Sequence, residues 1–134
     1  MAGGITVSAE LSSLPGVLAY ITDALRALGL SPKAVQEMEL AVDEAVTNIV
    51  LHGYDGTEGW VRLSCERAGE GAVVVIEDAA PPFDPTAAPS PELEGDADER
   101  PIGGLGVHFI RTMTDEMIYE YRDGINVLKL LKSV

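Results

Sequence analysis

Apolar and polar positions repeat along this chain with two periods, and the switches between them mark its elements. Ile5-Thr6-Val7-Ser8-Ala9 alternates and predicts a first strand. Leu14, Val17, Leu18, Ile21, Leu25 and Leu28 then fall at helical steps. Ser12 or Ser13 is placed to cap that helix, Pro15 lies in its first turn and Gly29 ends it. Ser31-Pro32 is a second cap and first-turn proline, opening a longer helix that stops at Gly53 before an Asp55-Gly56 turn. Along it, Met38, Val42, Ala45, Val46, Ile49 and Val50 form an apolar stripe. Glu37, Ala41, Glu44, Asn48 and His52 form a second stripe at the same steps.

Downstream the period becomes that of strands. Trp60 to Glu66 alternates, and Ala72 to Asp78 is a continuous apolar run with an acidic end. Gly69 to Gly71 between them predicts an antiparallel hairpin. From Ala79 to Pro101 periodicity is lost: there are six prolines and an acidic run from Glu92 to Glu99. A loop of that length in a compact domain is generally a functional lid or a disordered segment. Pro101 to Met113 passes from glycines into a helical pattern. Asp115 to Tyr121 and Ile125 to Leu131 predict two more strands, joined by the hairpin turn Asp123-Gly124.

The order is strand, helix, helix, hairpin, long loop, helix, hairpin. It predicts an α+β two-layer sandwich, with about three helices on one face of a mixed, mostly antiparallel sheet. The 134 residues match one domain, 1–134, with 84–101 as a mobile lid. A 46% hydrophobic content supports one core, and 5% aromatic makes that core aliphatic. No apolar run reaches the roughly 20 residues of a membrane span. The N-terminus lacks the pattern of a signal peptide. Cys65 is the one cysteine, which excludes an internal disulfide and a cysteine zinc cluster and suits the cytoplasm.

Charge narrows the partners. Twenty-two acidic residues against nine basic ones give a net charge of −13, which argues against DNA and against an anionic membrane surface. A basic protein partner is compatible with that field. An anionic ligand would have to be held by backbone amides and a divalent cation rather than by a basic patch.

Three constellations carry chemistry. Glu44 and Asn48 are one helical turn apart, and the small Ala41 on the turn before leaves room beside them. A Glu can take a proton from a hydroxyl or water. An Asn offers a neutral oxygen to a hard cation such as Mg²⁺. Asp78 leaves a buried strand into Ala79-Ala80-Pro81-Pro82-Phe83, where a carboxylate can accept from an exocyclic amine. Gly103-Gly104-Leu105-Gly106 runs into a helix whose first amides can meet an anion. No Gly-Lys-Ser/Thr follows, so this is not a Walker loop.

With these segments in this order, the chain resembles the GHKL ATPase superfamily, which includes gyrase, histidine kinases and mismatch-repair ATPases. It is most similar to the small anti-sigma factors, the serine-protein kinases of bacterial stress and sporulation switches. The resemblance rests on Glu39 to Gly53, Val74 to Pro85 and Pro101 to Lys132, and covers nearly the whole chain. It implies the Bergerat, or histidine-kinase-like, ATPase fold, with 84–101 as an ATP lid. It implies Glu44 as general base, Asn48 on Mg²⁺ and the phosphates, and Asp78 on the adenine amine. Ala80 and Phe83 would border the base. Arg100, Gly103, Gly104, Leu105, Gly106 and Val107 would meet the phosphates, with His52 lining the pocket. Implied partners are ATP, a sigma factor, an anti-anti-sigma protein of the STAS type and a second copy in a homodimer. Two positions depart from the family pattern. Ala80 stands where Gly is frequent. Leu128-Lys129-Leu130 stands where a Leu-Thr-Leu threonine supports the Asp.

The leading expectation is an ATP-Mg²⁺-binding anti-sigma regulator that phosphorylates a serine of its antagonist. The alternative is a protein-binding module, with or without nucleotide, that has no turnover. A detached histidine-kinase domain fits less well, because no dimerisation helix with a phosphoacceptor His precedes the sandwich.

Overall fold

The protein is described by a computed structural model that covers residues 4–83 and 110–133. Two helices, α1 (Leu14–Ala27) and α2 (Pro32–Asn48), pack on one face of a five-stranded sheet. The strands are β1 (Gly4–Ser8), β2 (Trp60–Ala68), β3 (Gly71–Asp78), β4 (Glu116–Arg122) and β5 (Ile125–Lys132). Their spatial order is β1-β2-β3-β5-β4, and all four pairings are antiparallel. The sheet is therefore not mixed among the described residues. Residues 110–113 are helical, and the start of the third expected helix lies outside the described residues.

Strand alternation puts the core on the helix side. Val61 and Leu63 of β2, Val74 and Ile76 of β3 and Leu128 and Leu130 of β5 are buried there. Val17, Ile21 and Leu25 of α1 and Met38, Val42 and Val46 of α2 close over them, with Ile110 beside them. Ala41 belongs to this set and is fully buried, so it packs in the core. The second stripe of α2 is thus narrower than its spacing suggests.

The helix starts differ from each other. Ser31 caps α2 as expected, its Oγ accepting from the Ala34 amide at 3.1 Å. Ser31→Ala should lower stability by about 1 kcal/mol in urea unfolding, the usual cost of a lost cap. Ser13 precedes α1 without capping it. A short 3₁₀ turn, Leu11–Ser13, intervenes, and the Ser13 hydroxyl donates instead to the Ser8 carbonyl at 2.8 Å.

Two details at the far end of the sheet position the candidate site. Asp123 and Gly124 have φ of +55° and +81°, the pair of left-handed residues that a two-residue hairpin turn requires. That turn fixes the β4–β5 register, and Asn126 comes to lie opposite Asp78 across β3–β5. At the near edge, Lys132 Nζ donates to the Met113 carbonyl at 2.8 Å and pairs with Glu37 at 2.7 Å. The hydrogen bond from Lys132 holds the Glu37 carboxyl below its usual range, so this stripe residue braces the helix layer.

Candidate nucleotide site

The end of α2 does not continue as an α-helix. Ile49–Gly53 forms a wider π turn, closed by the Tyr54 amide donating to the Ile49 carbonyl at 2.8 Å. Such turns insert one residue and recur at functional sites. The insertion brings Gly53 beside the Asn48 backbone. A Cβ placed on Gly53 would lie 3.9 Å from the Asn48 carbonyl oxygen. His52 is exposed.

The same turn brings α2 against the end of β3. A Cβ on Gly53 would stand 3.2 Å from the Ala80 methyl. Tyr54 fastens the junction. Its hydroxyl accepts from the Ala79 amide at 2.8 Å and the Trp60 amide at 3.3 Å, and donates to the Trp60 carbonyl at 2.8 Å. Tyr54→Phe should strip these bonds, cost about 1–2 kcal/mol in urea unfolding and weaken any ligand held by residues 78–80.

Asp78 is 4% exposed. Its Oδ1 accepts twice, from the Ala80 amide at 2.9 Å and from Asn126 Nδ2 at 2.9 Å. Among the described residues nothing donates to its Oδ2. Burial pushes its pKa up, opposed by the bonds from Asn126 and Ala80. The arrangement is a fixed carboxylate with one oxygen spent and one on offer. It suits a neutral donor such as an exocyclic amine, and a buried acceptor without such a donor is costly.

Asn126 was not legible as a site residue. The expected support for Asp78, a threonine at the place of Lys129, is a misplacement by three residues. Lys129 pairs with Val75 and Ile118, and strand alternation turns it to the face away from the helices. One signal was available: Asn126, Leu128 and Leu130 share a parity, so a polar residue stood in a core-facing row. Asn126 Nδ2 also reaches the Ala80 carbonyl at 2.9 Å and the Pro81 carbonyl at 3.3 Å. Its Oδ1 accepts from the Tyr119 hydroxyl, and from the Phe83 amide at 3.4 Å.

Ala80 gives no sign of strain. It is absent from the residues of positive φ, and its methyl faces Gly53, small against small. Phe83 is 52% exposed, a large ring left in solvent beside this pocket.

Glu44 and Asn48 are both half-buried on α2. Partial burial raises the Glu44 pKa, and the neighbouring Asp43 raises it further. Among the described residues neither side chain has a hydrogen-bond partner. A half-buried carboxamide and carboxylate left open in this way fit a group that brings its own charge, such as a phosphate with its hard cation. Among the described residues no three acidic, His or Cys side chains cluster to hold a metal unaided. Cys65 is inert, its thiol pushed up to about 12 by burial. Arg100, Gly103, Gly104, Leu105, Gly106 and Val107, with the 84–101 lid, lie outside the described residues.

Comparison with known proteins places this geometry. Residues 7–132 match the family described as the histidine kinase-like ATPase domain. The serine-protein kinase RsbW of Listeria innocua is 30% identical over 105 residues, 75% of this chain and 67% of that protein. The serine/threonine-protein kinase BtrW of Bordetella bronchiseptica is 33% identical over 69% of this chain and 66% of its own length. The anti-sigma F factor of Clostridium kluyveri is 26% identical over 97% of this chain and 82% of its own. A crystal structure of the RsbU and RsbW domains of a Mycobacterium tuberculosis protein shares the fold, with a TM-score of 0.69 at 18% identity. It covers 99% of this chain, which in turn spans 32% of that longer chain. The chain belongs to the histidine kinase-like ATPase family, in its group of anti-sigma factors and serine-protein kinases.

Proposed function

We propose that this protein binds ATP with Mg²⁺ and transfers the terminal phosphoryl group to a serine of an anti-anti-sigma partner, so regulating a sigma factor. The observation that carries the nucleotide reading is Asp78: a buried carboxylate with one oxygen bound twice and the other unpartnered, beside the helix end that bears Glu44 and Asn48. In this reading Asp78 Oδ2 accepts from the adenine amine. Ala80 and Phe83 border the base. Asn48 holds Mg²⁺ and phosphate oxygens, and the ion supplies charge neutralisation on the transferring group. Glu44 takes the proton of the attacking serine. The glycines from Gly103 to Gly106, with Leu105, Val107 and Arg100, would wrap the phosphates. His52, exposed at the end of the helix, would line the mouth of the pocket.

The kinase step rests on family membership and on Glu44. The names of the related proteins, serine-protein kinase and anti-sigma factor, support it. The net charge of −13 supports partners that present basic surfaces. A homodimer and a cytoplasmic location belong to the same reading. No helix among the described residues is long and apolar enough to cross a membrane. The departures at Ala80 and Lys129 no longer favour a module without turnover, since Asp78 is held by Asn126 and by the Ala80 amide itself.

Calorimetry with ATP and Mg²⁺, followed by transfer of labelled phosphate to the cognate antagonist, tests both halves. Heat of binding with transfer is the expected result. Absence of heat removes the nucleotide reading, and heat without transfer removes the kinase.

A further inference from the structure

We infer that Tyr119, on strand β4, is a positioning residue for base selectivity, acting through Asn126 on Asp78. The inference rests on the reading above, in which Asp78 accepts from the amine of adenine.

The geometry runs across three strands. Asp78 and Asn126 are directly opposed in the β3–β5 ladder, and Tyr121 and Asn126 in the β4–β5 ladder. Tyr119 is opposite Leu128, so it meets Asn126 on the diagonal of the same face, a separation that aromatic side chains span. Its hydroxyl donates to Asn126 Oδ1. The other end of that amide donates to Asp78 Oδ1 at 2.9 Å, the Ala80 carbonyl at 2.9 Å and the Pro81 carbonyl at 3.3 Å.

One carboxamide therefore sits between a hydroxyl on the edge strand and the carboxylate that faces the base. Asn126 is 5% exposed, so water offers its oxygen little relief. Without the Tyr119 hydroxyl, that oxygen keeps, among the described residues, only the long bond from the Phe83 amide, 3.4 Å. The carboxamide is planar and rigid, so a shift of its oxygen toward Phe83 also moves Nδ2 relative to Asp78 Oδ1. The carboxylate then loses the restraint that keeps Oδ1 occupied and Oδ2 on offer. A base that carries the amine suffers, because it depends on where Oδ2 points. A base without the amine has nothing to lose.

The test is equilibrium binding of ATP and of inosine triphosphate, which has a carbonyl in place of the amine. The wild-type protein should prefer ATP by about tenfold to a hundredfold, the range of a charge-assisted hydrogen bond. In Tyr119→Phe the preference should shrink by about fivefold or more, through loss of ATP affinity while inosine triphosphate binding stays within about twofold. Tyr121→Phe, on the same strand, should leave the preference unchanged. In an Asn126→Ala background, Tyr119→Phe should change it no further, as a shared path requires. Thermal unfolding of Tyr119→Phe checks that the fold persists. An unaltered preference in Tyr119→Phe, or equal losses for both nucleotides, overturns the relay while leaving the adenine reading in place. Equal binding of the two nucleotides by the wild-type protein overturns both.

Discussion

Asp78→Asn should weaken ATP binding about a hundredfold, the upper part of the range for a hydrogen bond to a charged group, without unfolding the protein. The amide oxygen of the new side chain can keep both bonds made by Asp78 Oδ1, from the Ala80 amide and from Asn126. What changes is the other end. An acceptor becomes an NH₂ group, and it would face the NH₂ of adenine, donor against donor. The affinity lost is thus specific to the base. Titration with ATP measures it, and wild-type affinity in Asp78→Asn would remove Asp78 from the site.

The same substitution should raise stability at neutral pH. Burial raises the Asp78 pKa, so folding favours the protonated form. The stabilisation that goes with such a shift is complete below the unfolded value, about 3.9, and fades as pH rises through the higher folded value. At pH 7 the charged carboxylate therefore costs stability, and Asn does not carry that cost. Urea unfolding should find the mutant more stable than the wild type at pH 7, with the gap narrowing toward pH 4. A buried carboxylate that weakens the fold is what a binding site, rather than a core, would retain.

How much of this could be read from the residues alone follows from which interactions are local. The Ser31 cap, the Asp123-Gly124 turn, the alternation of β2 and the apolar runs of β3 and β5 are local, and each was legible. The two-layer arrangement follows from their order. Asn126 was missed because its role depends on register between strands whose positions 78 and 126 lie 48 residues apart, and no spacing rule sets that. The π turn was missed for a related reason. Nothing in Ile49-Val50-Leu51-His52-Gly53 departs from a helical pattern. The turn is set by the junction beyond it, where Tyr54 is bonded to Trp60 and Ala79 and Gly53 packs on Ala80.

Glu44→Gln should lower phosphoryl transfer by about 10²- to 10⁴-fold, the usual contribution of a positioned general base, while ATP affinity changes by less than about twofold. The two readouts should separate because Glu44 lies one helical turn from Asn48, the residue proposed to hold the phosphates, and not beside Asp78, the carboxylate proposed to read the base. Partial burial is the larger reason its pKa is raised, and Asp43 adds to it. A base acts only when deprotonated, so the wild-type rate should climb with pH through a midpoint above the ordinary Glu value of about 4.3 and then level off. In Glu44→Gln that climb should vanish, leaving a low rate with no such midpoint. Asp43→Asn removes the smaller cause and should move the midpoint down without abolishing transfer. A glutamine variant that transfers at the wild-type rate would mean that the serine loses its proton elsewhere, and Glu44 would then be one more polar residue on the open side of α2.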